Sequence, residues 1–146
     1  MIRNRSVPTD TVLPHVFYQD VAAALAWLTT AFGFTEHYRY GESGESGGSV
    51  AGAQIYLGGA WIMLSNGASP AQIGHRTQSV TVFVDNVDAH FERTKSAGAK
   101  IVEDLHVTCY GERQYGAEDP EGHRWLFSQH FRDVSPDEWG ATIAHG

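Results

Sequence analysis

The chain has one cysteine, two methionines and five prolines in 146 residues. A lone Cys109 excludes an intramolecular disulfide, and with it any need for an oxidising compartment. No base stands beside Cys109 in the sequence, and no helix start is expected there, so nothing marks it as an activated thiolate. Basic residues are also scarce. Ten Lys and Arg stand against seventeen Asp and Glu, a net charge of −7, and they form no cluster. That argues against nucleic acid as a partner, because such binding rests on neutralising phosphates. No apolar run approaches the roughly 18–20 residues of a membrane span, and residues 1–5 lack the apolar segment of a signal peptide. A Gly-rich phosphate loop and a nucleophile elbow are missing as well. The expectation is a cytoplasmic protein with neither membrane nor nucleic acid as partner. At 42% hydrophobic and 18% charged residues, it has the composition of a soluble globular domain.

What the chain does have is a repeat. Residues 12–33 run from an apolar stretch through Asp20 to a helical pattern closing on Gly33. Residues 77–98 follow the same plan through Asp85 to Gly98, with Asp and Gly 13 positions apart in both. Later in each copy, the segment 59–65 (GAWIMLS) lines up with 122–128 (GHRWLFS). A degenerate repeat of a strand–helix–strands unit predicts two related modules.

Local signals fill in the plan. Asp20 is a candidate N-cap, and Val21, Ala24, Leu25, Leu28 and Phe32 recur at helical spacing up to the Gly33 stop. Strands are expected at 12–19, 34–40, 50–57 and 61–64, with Gly58-Gly59 as a hairpin turn. Residues 41–48 read as a turn and 66–77 as the linker between copies. The second copy reads as strand 78–84, helix 87–97 and strands 100–105, 113–118 and 124–129. Ser135 followed by Pro136 marks a short last helix that packs Trp139 on the body or on a partner chain. The fold class expected is α+β: two tandem βαβββ modules forming a curved mixed sheet around a cleft. Residues 1–11 form a tail, 12–130 a single domain with copies at 12–66 and 77–130, and 131–146 a C-terminal tail with the short helix.

Taken together, the Asp20-Val21 helix ending in Ala31-Phe32-Gly33-Phe34, the segment 59–65, the Val82-Phe83-Val84-Asp85 strand end, Ala97-Gly98-Ala99 and above all the stretch 115–125 (YGAEDPEGHRW) resemble the vicinal oxygen chelate superfamily. That superfamily includes glyoxalase I, extradiol dioxygenases and bleomycin-resistance proteins, and the resemblance spans about 12–130. It looks closest to glyoxalase-like members carrying Ala-Phe-Gly-Phe and Asp-Pro-Glu-Gly-His. The resemblance implies a divalent metal in the cleft, held from the first and last strands of each copy. Carried onto this chain, those positions are Pro14, Met63, Ser79 and Leu126, and none is a credible ligand for Zn²⁺, Ni²⁺ or Fe²⁺. The expectation is therefore no metal and no cofactor, with the question of catalysis open. A one-residue slip of the first strand would put His15 at the ligand position; the expectation is that His15 faces the helices or a strand edge. His123, beside the Asp-Pro-Glu-Gly turn, reads as solvated or turn-bonded.

Strand alternation then predicts the cleft lining. It comprises Val16, Tyr18, Thr81, Phe83, Trp61, Ser65, Arg124 and Ser128, with Met63 and Leu126 between them. Trp125, Phe127, Ile62, Leu64, Val80, Val82 and Val84 go to the helix side as core. Arg113 and Tyr115 are expected at the rim. The candidate ligand-binding set is thus Tyr18, Trp61, Met63, Phe83, Arg113, Tyr115, Arg124, Leu126 and Ser128. Three functions fit. One is a metal-independent protein, similar to bleomycin-resistance proteins, that binds a small planar or amphipathic molecule. Another is a metal-dependent lyase or dioxygenase with relocated ligands. The last is a structural or interaction protein whose cleft is plugged by these aromatics. The resemblance also implies a homodimer.

Overall fold

In the computed structural model, residues 3–5, 12–41, 49–67 and 78–144 are described; the expected turn after the second strand and most of the linker lie outside them. The order is β1 (His15–Tyr18), α1 (Val21–Ala31), β2 (Thr35–Tyr40), β3 (Gly52–Leu57), β4 (Ala60–Asn66), β5 (Ser79–Phe83), α2 (Val87–Ser96), β6 (Lys100–Val107), β7 (Glu112–Glu118) and β8 (Arg124–His130), followed by a 3₁₀ turn at Pro136–Trp139. Two four-stranded mixed sheets result, β1-β4-β3-β2 and β5-β8-β7-β6. Each has one parallel pair, β1 with β4 and β5 with β8. This is an α+β fold of two tandem βαβββ modules.

Both helices start and stop as their sequences direct. The Asp20 side chain accepts from the Ala23 amide at 3.0 Å and Asn86 from the Ala89 amide at 3.1 Å, each satisfying one orphan donor of the first turn. Past the other ends, Gly33 and Gly98 adopt φ of 82° and 83°, a conformation that side-chained residues avoid. The N-caps of the two copies are thus Asp20 and Asn86, so Asp20 matches Asn86 rather than Asp85. Strand β1 accordingly matches β5 one residue further along than the Asp-to-Asp alignment implies. Because α2 is one residue shorter than α1, the Gly stops still align as expected.

Val16, Tyr18, Ile55, Ile62 and Leu64 are buried in the first module, and Val82, Tyr115, Ala117, Trp125 and Phe127 in the second. They share a core with the apolar stripe of α1. Phe32, just past α1, joins the modules: its ring lies 4.8 Å from Phe127 and 5.7 Å from Trp125. Phe34 meets Trp125 at 5.5 Å. Each such aromatic pair contributes about 0.5–1.5 kcal/mol beyond its buried area.

The 3₁₀ turn keeps its expected start: Ser135 precedes Pro136, and the Glu138 carboxylate accepts from the Ser135 amide. Trp139 meets the Tyr110 ring edge-on at 5.8 Å, so the C-terminal segment lies on the body of the same chain. No helix among the described residues is long and apolar enough to cross a membrane.

Candidate functional site

One face of each sheet carries its helix, and the other carries no α-helix among the described residues, although Gln54, Met63, Gln114 and Ser128 on it are buried. On β1, His15 and Phe17 are exposed while Val16 and Tyr18 are buried. The open face of the first sheet therefore holds His15 beside Met63 and Phe17 beside Ser65. This reverses the face expected for Val16 and Tyr18, and sets His15 away from the helix on an edge strand of its sheet. The matching register in the second sheet sets Thr81 beside Leu126, Phe83 beside Ser128 and Ser79 beside Arg124.

Among the candidate binding residues, Trp61, Met63, Phe83, Arg124, Leu126 and Ser128 fall on these open faces, and three do not. Tyr18 is wholly buried against the helix side. Tyr115 pairs with Phe127 across β7 and β8 and is core rather than rim. Arg113 sits on the same side as Tyr115 and pairs with Asp88 of α2 at 2.9 Å; that contact holds the Asp88 carboxyl below its ordinary range.

The open face of the first module is aromatic. Tyr56 stacks on Trp61 with ring centres 4.6 Å apart, and His37 meets Trp61 edge-on at 5.3 Å. A bulge between Glu36 and Tyr38 re-aims this stretch of β2. His37 Nδ1 bonds Gln54 Oε1 at 2.6 Å, and Gln54 Nε2 donates to Met63 Sδ at 3.4 Å. Gln54 was not foreseen, although the two-residue Gly58-Gly59 hairpin sets it opposite Met63.

The second module is more polar. Ser128 Oγ donates to Gln114 Oε1 at 3.0 Å, and Gln114 Nε2 to Glu103 Oε2 at 3.3 Å. His130 Nδ1 lies 2.9 Å from Glu112 Oε1, and Glu112 Oε2 is buried without a partner. Arg124 lies 3.8 Å from Glu118. Phe17 and Phe83 stand 49% and 62% exposed, large apolar rings in the open on both sheets.

These residues do not fit a divalent metal. Met63 offers a thioether already engaged by Gln54, Leu126 offers no donor, and Thr81 beside Leu126 and Ser79 beside Arg124 offer one hydroxyl each. Among the described residues, two imidazoles stand near those positions, His15 beside Met63 and His37 on the Gln54 amide that contacts Met63. No group of three or more His, Cys, Asp or Glu able to hold a metal occurs among the described residues.

The motifs behind the resemblance do other work: they join the modules. The buried Asp119 carboxylate accepts from Tyr18 Oη at 2.5 Å, Trp125 Nε1 at 3.1 Å and the amides of Glu121 and His123 at 3.1 and 3.0 Å. His123 is 7% exposed, not solvated; its Nε2 donates to the Phe17 carbonyl at 2.8 Å. Glu121 accepts the amides of Gln19 and Asp20.

At the other end of α1 the last four carbonyls, which no helix can satisfy from within, are met by side chains of α2. Arg93 donates to Thr29 and Thr30, Thr94 to Ala31, and His90 Nε2 to Phe32 at 2.7 Å. Burial pushes the His90 imidazole below its ordinary value. With Nε2 donating, neutral His90 accepts at Nδ1 from Tyr115 Oη, 2.5 Å away.

Paired βαβββ modules, locked by an Asp-Pro-Glu-Gly-His turn and each presenting an open sheet face, define the class of protein. The chain belongs to the Glyoxalase/Bleomycin resistance protein/Dioxygenase superfamily, whose profile matches residues 10–127. It is similar to TioX from Micromonospora sp. ML1, with 33% identity, 84% of this chain and 99% of that one covered, and a TM-score of 0.71. An uncharacterized protein of Mycobacterium bovis, Mb0911c, is 29% identical over 140 residues, covering 90% of each chain. The fosfomycin resistance protein FosX from Listeria monocytogenes shares the fold at 16% identity and a TM-score of 0.62, with 89% and 97% covered. FosX has also been solved with Mn(II) and 1S,2S-dihydroxypropylphosphonic acid bound.

Proposed function

We propose that the protein binds a small planar or amphipathic molecule on the open sheet faces, without a metal. The observation that carries this reading is the Tyr56–Trp61–His37 stack beside Met63. It offers a flat aromatic surface where the family's metal chemistry would need oxygen or nitrogen donors. Stacking on Trp is sequence-cheap recognition for a planar ligand, and a cation gains further from the ring face. The net charge of −7 favours a cationic ligand in solution. Phe17 and Phe83 supply apolar contact on the two sheets, and the charge of Arg124 is met by Glu118 at 3.8 Å. The reading includes a homodimer, in which a second copy covers part of these rings; sedimentation equilibrium giving twice the chain mass agrees with it, and the chain mass alone contradicts it.

The test of the binding reading is a fluorescence titration with proflavine, a planar cationic dye. Saturable binding by the native protein and its loss in Trp61→Ala, with the circular dichroism spectrum unchanged, is the expected result. Unaltered binding by Trp61→Ala contradicts it. A metal-dependent reading draws on one observation, the placement of His15 beside Met63. Elemental analysis of protein purified without chelator separates the two: near-stoichiometric transition metal supports the metal reading.

A further inference from the structure

The repeat creates two equivalent junctions between the modules, and they are filled differently. At the first, Glu121 in the β7–β8 turn accepts the amides of Gln19 and Asp20 at the start of α1, at 2.7 and 3.1 Å. Tyr18, Asp119 and His123 complete that lock. At the second junction the equivalent amides belong to Asp85 and Asn86, at the start of α2. The β3–β4 turn facing them is Gly58-Gly59, where the other copy has Pro120-Glu121-Gly122. Leu57 stands in the place of Asp119, Ala60 in that of His123 and Val84 in that of Tyr18. Every side chain of the polar lock is replaced by an apolar one or by none.

What remains is a cavity of about 620 Å³. Leu57, Val84 and Phe83 give it apolar walls, and Arg93 lies in its lining with Asp85 and Asn86. Neither amide, of Asp85 or Asn86, has a partner among the described residues. The molecule itself shows what such a pair of amides takes, since the equivalent pair holds a carboxylate.

We propose that this cavity binds a small carboxylate with an apolar body, its carboxylate resting on the Asp85 and Asn86 amides as that of Glu121 rests on Gln19 and Asp20. The amides stand at a helix start, where the backbone favours negative charge, and the charge of Arg93, whose guanidinium caps the Thr29 and Thr30 carbonyls, adds to it. The volume lies within the roughly 300–1,000 Å³ of small-molecule pockets. One group opposes the anion, the side-chain carboxylate of Asp85, and its removal strengthens binding. This site shares Phe83 with the open face of the second sheet but has neither Trp61 nor Tyr56 in its lining.

The experiment is an amide-resolved NMR titration of the whole protein with phenylacetate, and with neutral phenylacetamide at the same ionic strength. Phenylacetate is expected to give saturable shifts at Asp85 and Asn86, and phenylacetamide none. Asp85→Asn tightens phenylacetate binding several-fold, and Trp61→Ala leaves it unchanged. A Cβ at Gly59 meets no atom within 4 Å, so Gly59→Glu brings its own carboxylate to the cavity and abolishes the response. Three results overturn the proposal: no saturable shift at those amides, equal shifts with both probes, or an undiminished response in a folded Gly59→Glu protein. Should Gly59→Glu disturb the fold, the two-probe comparison on the native protein decides alone.

Discussion

Replacing Asp119 with alanine removes the acceptor for four donors at once. Two of them, Tyr18 Oη and Trp125 Nε1, belong to side chains with no exposure. A buried donor left without a partner costs about 1–3 kcal/mol. The amides of Glu121 and His123 lose the same carboxylate, but the turn is open enough at Glu121 for water to replace part of the loss. Since neighbouring losses do not add in full, the expected destabilisation is about 4 kcal/mol. Tyr18→Phe removes the hydroxyl's bond to Asp119 and leaves the carboxylate three donors, at a cost of about 1 kcal/mol. Urea unfolding reads both as shifts of midpoint at constant slope. The double variant should lose about 1 kcal/mol less than the sum, because both single variants remove the same Tyr18–Asp119 bond. Asp119→Ala costing no more than Tyr18→Phe would refute the reasoning, and with it the role of the Asp-Pro-Glu-Gly-His turn as the module lock.

Further expectations follow from the same structure. His90 is held below its ordinary value of 6.5 by burial, so below that pH the unfolded chain binds a proton the folded one resists. Stability is therefore complete above 6.5 and falls as pH drops through it; urea midpoints across that range should show the fall, and His90→Gln should flatten it. Gly111 has φ of 90°, and a Cβ there would lie 1.9 Å from the Arg132 carbonyl oxygen, whereas at Gly98, φ 83°, it would meet nothing. Gly98→Ala should cost about 1 kcal/mol from backbone strain alone. Gly111→Ala should cost several times as much, and thermal melts showing equal losses would contradict this.

Most of the fold was legible because its signals are local. The helix caps, the Gly33 and Gly98 stops and the Gly58-Gly59 hairpin each follow from one or two residues, and all the expected strands and both helices form. The register between copies was not so local. Asp85 and Asn86 are both good N-caps, so spacing alone could not choose between them, and Asp85 matched Asp20 by type. Taking Asp85 set Val16 against Thr81 and turned β1 over. The true match sets Val16 against Val82 and Tyr18 against Val84, which the apolar Val80-Val82-Val84 alternation already placed in the core. Within β1 itself, Val16 and Phe17 are both apolar, so composition gave no preferred face. Tyr115 and Arg113 were misplaced for a different reason. Their aromatic and charged character reads as a rim, but pairing with Phe127 and Gln129 fixes their side of the sheet. The junction cavity was invisible in the sequence, since it depends on what one copy lacks relative to the other.

The central claim is that a planar ligand is held by the aromatic face around Trp61 rather than by a metal. The most direct measurement is a proflavine titration of the native protein before and after exhaustive chelation, with Trp61→Ala alongside. The account predicts the same saturable binding before and after chelation and none in Trp61→Ala. Binding that disappears on chelation, or that survives in Trp61→Ala, would contradict it.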